Sequence, residues 1–236
     1  MTLGQLLTDL NARIGSTPEV SNANMTTWIN EGLRVFCEEY SFYWLEKRVT
    51  TSTIANQNEY NIPSDFKQII ELSVDQTADS PNIYGYKPYQ QRFGTLSNEK
   101  TVSIIGSVMR ITPTPSTTGD DNVNLTYIRR SANMSSQSDS PSDTAIAGMP
   151  EVYHPALVQY AFAIYNSYDE EQAEYQAIMG NKMNPIPGTY YYYVNLAKKE
   201  DESRKMGTRR KMLSKQYATG YTRPNQVGLV SQVLKV

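Results

Sequence analysis

Thr101-Val-Ser-Ile-Ile105, Gly106-Ser107 and Val108-Met-Arg-Ile-Thr112 follow one another without a gap. Two short β-prone runs joined by a Gly-Ser pair have the spacing of a tight hairpin. Pro113 and Pro115 stop the second run, because proline has no N–H to give to a ladder. Upstream, Ile70, Leu72 and Val74 alternate with Glu71 and Ser73, the period of a half-buried strand. Val49–Ala55 is a further β-type run, and Asn56-Gln-Asn58 offers it a turn. Downstream, Val123, Leu125 and Tyr127 alternate with Asn124 and Thr126. Pro81, Gly85 and Pro88 mark a loop, and Tyr89–Phe93 a short helix. Residues 49–130 therefore read as a small unit of about five or six strands.

Helical periods flank this unit. Leu3, Leu6, Leu7, Leu10 and Ile14 form an i, i+3, i+4, i+7 stripe. Thr2 and Gln5 suit a capping box at its start, and Gly15 suits its end. A second helix is expected over 21–47, where Ile29, Leu33, Phe36, Tyr40 and Trp44 share a face flanked by Trp28 and Phe42. After a polar, Ser-rich loop over 131–149, a third is expected from Pro150, with Leu157, Ala161, Ile164, Tyr168, Tyr175 and Met179 on one face. Tyr190-Tyr-Tyr-Tyr193 opens a long polar helix to about Gln216, interrupted or weakened at Gly207. The predicted fold class is α+β: an antiparallel helical bundle with an inserted small β-rich unit and an extended C-terminal arm. Its parts are a helical core (1–48 and 150–180), a β-rich insertion with the Ser-rich loop (49–149), and a polar helix with the arm (181–236).

The 236 residues contain one histidine, His154, and one cysteine, Cys37. A zinc site draws three or four ligands from Cys, His, Asp and Glu, and these two are poor material for one. Ser-His and Cys-His nucleophile designs would all pass through His154. No phosphate-cradling glycine motif is present. Carboxylates are plentiful, and no spacing singles out a catalytic pair. The expectation is a protein that is not an enzyme and carries no cofactor and no metal. His154 is read as hydrogen-bonding near a helix start, and Cys37 as a small buried apolar residue. Met1-Thr-Leu-Gly-Gln5 lacks the basic start and apolar run of a secretory signal. No apolar stretch nears the ~20 residues that span a bilayer, so no membrane partner is expected.

The net charge of −2 conceals a division. Residues 1–197 hold 12 Lys+Arg against 21 Asp+Glu, a balance of −9, and residues 198–236 hold 10 against 3, a balance of +7. A basic terminus on an acidic body points to an acidic or polyanionic partner, or to a solvated charged helix. Gly220, Pro224 and Gly228 interrupt regular structure there, while Val227, Leu229, Val230, Val233 and Leu234 are too apolar for a purely solvated tail.

Four stretches carry a resemblance. They are Tyr60-Asn-Ile-Pro-Ser-Asp-Phe66, Gly106-Ser-Val-Met-Arg-Ile-Thr-Pro-Thr-Pro115, Val123-Asn-Leu-Thr-Tyr-Ile-Arg129 and Met149-Pro-Glu-Val-Tyr-His-Pro-Ala-Leu-Val-Gln-Tyr-Ala161. In their order, over residues 1–180, the chain resembles the head–tail adaptor (connector) proteins of tailed phages. The resemblance implies a closed ring of this chain, usually of about twelve copies, in the neck of the virion. The ring would continue the channel for genomic DNA, with the portal protein on one side and a downstream tail protein on the other. The chain itself would be made in the host cytoplasm. The portal contact is expected to use Arg209, Arg210, Lys211, Tyr217, Tyr221, Val227, Leu229, Val230, Val233 and Leu234. Two readings outside this family remain: a nucleic-acid-binding module acting through the basic segment 198–215, and a carbohydrate- or receptor-binding module built on the Tyr-rich β unit.

Overall fold

A computed structural model describes residues 1–15, 20–75, 81–88, 99–168 and 172–218, with side chains as far as residue 205. The chain divides into two units, Met1–Asn195 and Leu196–Val236. Helix α1 spans Leu3–Ile14 and buries Leu3, Leu6, Leu7 and Leu10. Its capping box is formed: Thr2 N donates to Gln5 Oε1 (2.8 Å) and Gln5 N to Thr2 Oγ1 (3.4 Å). Gly15 ends the helix at φ +78°, a value open to glycine. Helix α2 spans Asn22–Glu39, is capped by Ser21, and buries Met25, Ile29, Leu33, Phe36 and Cys37.

Helix α2 was expected to reach Lys47 and stops at Glu39. Tyr40 is extended, Tyr43–Leu45 make a short 3-10 turn, and strand β1 (Glu46–Thr53) begins at once. The apolar spacing carried through to Trp44, but ring packing decides the backbone. In a continued helix Phe42 would sit about 120° round the axis from Phe36. On the extended backbone it stacks on Phe36 (centroids 5.5 Å apart) and on Trp44 (4.3 Å).

The remaining strands are β2 (Glu59–Asn61), β3 (Phe66–Asp75), β4 (Pro81–Tyr86), β5 (Thr101–Ile105), β6 (Val108–Thr112) and β7 (Gly119–Arg129). They form one mixed seven-stranded sheet in the order β1-β7-β3-β4-β5-β6-β2. All pairings are antiparallel except β4 with β5, which run parallel with Gly85 opposite Thr101. The hairpin β5–β6 turns at Ile105 opposite Val108, as its sequence predicts. The sheet curls into a half-barrel around its own core. Tyr60 of β2, Leu72 and Val74 of β3, Tyr84 of β4, Val102 of β5, Met109 and Ile111 of β6, and Val123, Leu125 and Tyr127 of β7 share one buried cluster.

This sheet corrects the expected fold class. The chain is α+β, with five α-helices among the described residues, but its core is strand-rich, not an antiparallel helical bundle with a small insert. Two strands carried little signal. Strand β4 contains Pro81 and Gly85, which read as a loop, and β2 is three residues long. Strand β2 is held by a neighbour distant in sequence, Tyr60 opposite Met109 of β6, and β4 by β3 just upstream and by β5; the periodicity of so short a segment does not report such pairing. The short helix expected over Tyr89–Phe93 lies outside the described residues.

The helix expected from Pro150 to Met179 is two, α3 (Pro155–Tyr168) and α4 (Gln172–Met179), preceded by a 3-10 turn at Glu151–Tyr153. Asp169, Glu170 and Glu171 lie between them in the sequence. Carboxylates disfavour the C-terminal end of one helix dipole and favour the N-terminal end of the next. Helix α2 packs on α3 at Gly32, where a Cβ would come 3.0 Å from Tyr160 Cδ1. The polar stretch 131–149 has no helix or strand, yet it is pinned. Asn30 takes both backbone groups of Met134 (2.9 Å each), and Asp139 Oδ2 accepts from the N–H of Ser135 and Ser136.

The aromatic contacts generate a stability prediction. Phe42→Ala should cost about 3–5 kcal/mol, the range for removing a buried aromatic ring. Ile83→Ala, on an exposed side chain, should stay within about 0.5 kcal/mol. Urea unfolding followed by far-UV circular dichroism measures both, and equal losses would contradict the assignment of Phe42 to the core.

Candidate assembly surfaces

His154 closes a buried polar knot at the start of α3. Its Nε2 lies 3.2 Å from Met149 O and 3.1 Å from Ser142 Oγ, and Nδ1 lies 2.9 Å from the amino nitrogen of Met1. These partners fit the tautomer that donates from Nε2 to the carbonyl and accepts at Nδ1. Burial, then the nearby amino charge, pushes the imidazole below its ordinary 6.5. Cys37 is buried on α2, and burial pushes its thiol up to about 12, so it is a protonated core residue. Among the described residues, no three His, Cys, Asp or Glu side chains group to hold a metal ion.

The C-terminal residues singled out from sequence fall in two places. Arg209, Arg210, Lys211 and Tyr217 lie on helix α5, which runs from Tyr190 to Ala218 and continues through Gly207. Tyr221, Val227, Leu229, Val230, Val233 and Leu234 lie outside the described residues. The base of α5 is anchored firmly. Tyr190 is buried against Phe36 (6.1 Å, edge-on) and Tyr160 (5.5 Å). Asn195 Nδ2 donates to Lys182 O (3.1 Å), and Lys182 Nζ pairs with Glu39 Oε2 (2.7 Å). Further along, Arg204 pairs with Glu200 (2.9 Å) and Lys205 with Asp201 (2.6 Å). These i,i+4 pairs support the charged stretch Lys198–Lys205 of the helix.

Two apolar surface features were not singled out from sequence. Trp28 of α2 stacks on Tyr168 of α3 at 5.9 Å and 29°, and tilts against Tyr165 at 6.4 Å. Tyr168 shares the helix face expected from sequence with Leu157 and Ala161 but, unlike them, is 70 % exposed. The signal available was its place directly before three acids. The second feature is the turn between α4 and α5, where Met183 is 91 % exposed. That turn is held by Asn181 Oδ1, which accepts from the N–H of Met183 (2.8 Å) and Asn184 (3.3 Å).

Residues 1–199 match the family described as SU10 adaptor protein. No curated protein matches the chain. Among solved structures, one described as "Neck of empty GTA particle computed with C6 symmetry" is similar over 82% of this chain and 90% of its own, at 7% identity and a TM-score of 0.28.

The knot at His154 gives a pH prediction. The folded imidazole binds its proton less readily than the unfolded one, whose value is near 6.5. Stability is therefore fully present above about pH 6.5 and is lost as pH falls through the depressed folded value. Melting temperature should drop on acidification below that point, and His154→Gln should flatten this part of the profile. A wild-type profile unchanged by the substitution would show that another group titrates.

Proposed function

The chain belongs to the SU10 adaptor protein family, and from that premise we propose that it is a structural head–tail adaptor of a phage-type particle. In this reading copies close into a ring, about twelve of them, through a head-to-tail contact between unlike surfaces. The ring sits in the virion neck between the portal protein and a downstream tail protein, and genomic DNA passes through its centre. The observation that carries the reading is the family match, which runs from Met1 through the half-barrel and α4 into α5. The role is geometric: a rigid body fills the ring wall and an arm attaches it.

The arm is the C-terminal segment 198–236, most of which lies beyond the family match at residue 199. Its apolar residues Tyr221, Val227, Leu229, Val230, Val233 and Leu234 are assigned to the portal, as a strand-prone segment seated on an edge or groove. Arg209, Arg210 and Lys211, with Tyr217 further along the same helix, steer the encounter towards an acidic surface and make it salt-sensitive. The division between the two units after Asn195 supports this assignment.

Truncation after Ser214 tests the assignment. The shortened chain should keep its helical signal and cooperative melting, while its capture by portal rings falls at least tenfold, about 1.4 kcal/mol. Normal attachment of the truncated chain would remove the arm from the portal contact. Failure of the full-length chain to bind portal or to appear in the neck by electron microscopy would remove the adaptor reading itself.

A further inference from the structure

We propose that the acidic surface receiving the basic half of α5 is the α2–α3 face of a neighbouring copy of this chain. The aromatic group Trp28, Tyr165 and Tyr168 is its platform, and Arg209-Arg210-Lys211 of the adjacent copy is its occupant. The inference rests on the adaptor reading for the existence of neighbours and goes beyond it by naming a contact between them.

The platform is ordered before anything binds. Trp28 is held between Tyr168 at 5.9 Å and Tyr165 at 6.4 Å, and Tyr165 is in turn stacked near Phe162 at 6.4 Å and 12°. Rings fixed in this way, with Tyr168 70 % exposed, present π faces without a further ordering cost. A guanidinium is the group that best matches such a face, because it is planar, always charged and weakly hydrated. Two exposed or part-exposed carboxylates lie close to the platform along the chain. Glu31 lies one turn along α2 from Trp28, and Glu174 is exposed on α4. The Glu31–Arg34 contact is long, 3.8 Å, with both side chains substantially exposed, a pair that an incoming cation can exchange at little cost.

Charge selects the occupant. The body through residue 197 carries −9 and the segment after it +7. Body against body is repulsive and body against arm attractive. Each copy bears one of each surface, so the contact is heterologous, the type that closes into rings. On the α5 backbone, Lys205 and Arg209, and likewise Lys211 and Lys215, are spaced i,i+4, so each pair falls on a common face.

A carbodiimide cross-linker, which joins a lysine amine directly to a carboxylate, tests this on the full-length chain. Heavy- and light-isotope preparations are mixed, cross-linked and read by mass spectrometry. The expected product joins the Lys211 or Lys215 peptide of one isotope to the Glu174 peptide of the other. Its yield should fall several-fold in high salt, in the double substitution R209E/R210E and in Tyr168→Ala. It should survive truncation after Ser214, provided the Lys211 link is read, although that truncation abolishes portal capture. Links confined to one isotope would place the basic segment on its own body and overturn the proposal, as would links insensitive to R209E/R210E or no such links at all. If full-length chains capture portal normally yet give no inter-copy link, this inference fails and the adaptor reading stands. Because Tyr168→Ala removes a ring from a packed surface, Glu31→Gln serves as the second variant: it neutralises a part-exposed carboxylate, leaves Glu174 in place to react, and should reduce the link at Lys215 and Lys211 alike while the variant keeps its cooperative melting.

Discussion

The ring of Phe42 stands 4.3 Å from Trp44 and 5.5 Å from Phe36, and the parts of the body meet at that stack. Phe36 comes from α2, Trp44 from the turn that feeds β1, Tyr153 from the turn before α3, and Tyr190 from the first residue of α5. Trp44 stacks on Tyr153 at 5.6 Å, and Phe36 meets Tyr190 edge-on at 6.1 Å. Offset and edge-on ring pairs add about 0.5–1.5 kcal/mol each beyond the area they bury. More than energy, they fix direction. The exit of α2, the entry of the sheet and the start of α5 are set by one another, because none of these rings can turn without disturbing the next.

Polar groups complete the joint where rings cannot. Tyr127 of β7 donates to Asp65 Oδ1 at 2.7 Å, and Lys47 of β1 reaches Asp65 Oδ2 at 2.8 Å. Burial alone would raise the Asp65 carboxyl; hydrogen bonds from Lys47 and Tyr127 together hold it below the ordinary carboxylate range. One carboxylate thereby links β1, β7 and the turn before β3. Around residues 131–149 the same task falls to Asn30, Asp139, Asp143 and Ser142, which bond to the backbone of a stretch without ladders of its own. Its lack of periodicity reflects pinning by side chains and leaves Met134, Ile146 and Met149 in the core.

What the sequence disclosed depended on whether the deciding forces were local. The Thr2–Gln5 box, the stripe of α1 and the Gly106-Ser107 turn are settled within a few residues, and each is found where it was read. The end of α2 is not local: the spacing from Ile29 to Trp44 suits a helix, and only contacts with Tyr153 and the pairing of Glu46 with Ile128 reveal a strand. The half-barrel escaped in part for the same reason, since β2 is defined by its distant partner β6, while Pro81 and Gly85 masked β4 although its partner β3 lies just upstream. At the surface, charge and apolar content pointed to the C-terminal segment. The Trp28–Tyr168 stack was hidden because both rings lie on helical stripes that also carry core residues, and exposure is not encoded by period alone.

The register of β1 against β7 has a kinetic meaning. Glu46 waits for Ile128 and Thr51 for Val123, and α1 and α2 wait longer still for α3, which ends at Tyr168. On a ribosome, the apolar faces of α1 and α2 lack their α3 partner until more than a hundred residues beyond Phe36 have been made. Long-range pairing of this kind slows folding and prolongs the exposure of apolar surface. A chain needed in many copies at one place is thus most vulnerable to wrong association during its own synthesis, before any of its assembly surfaces exist.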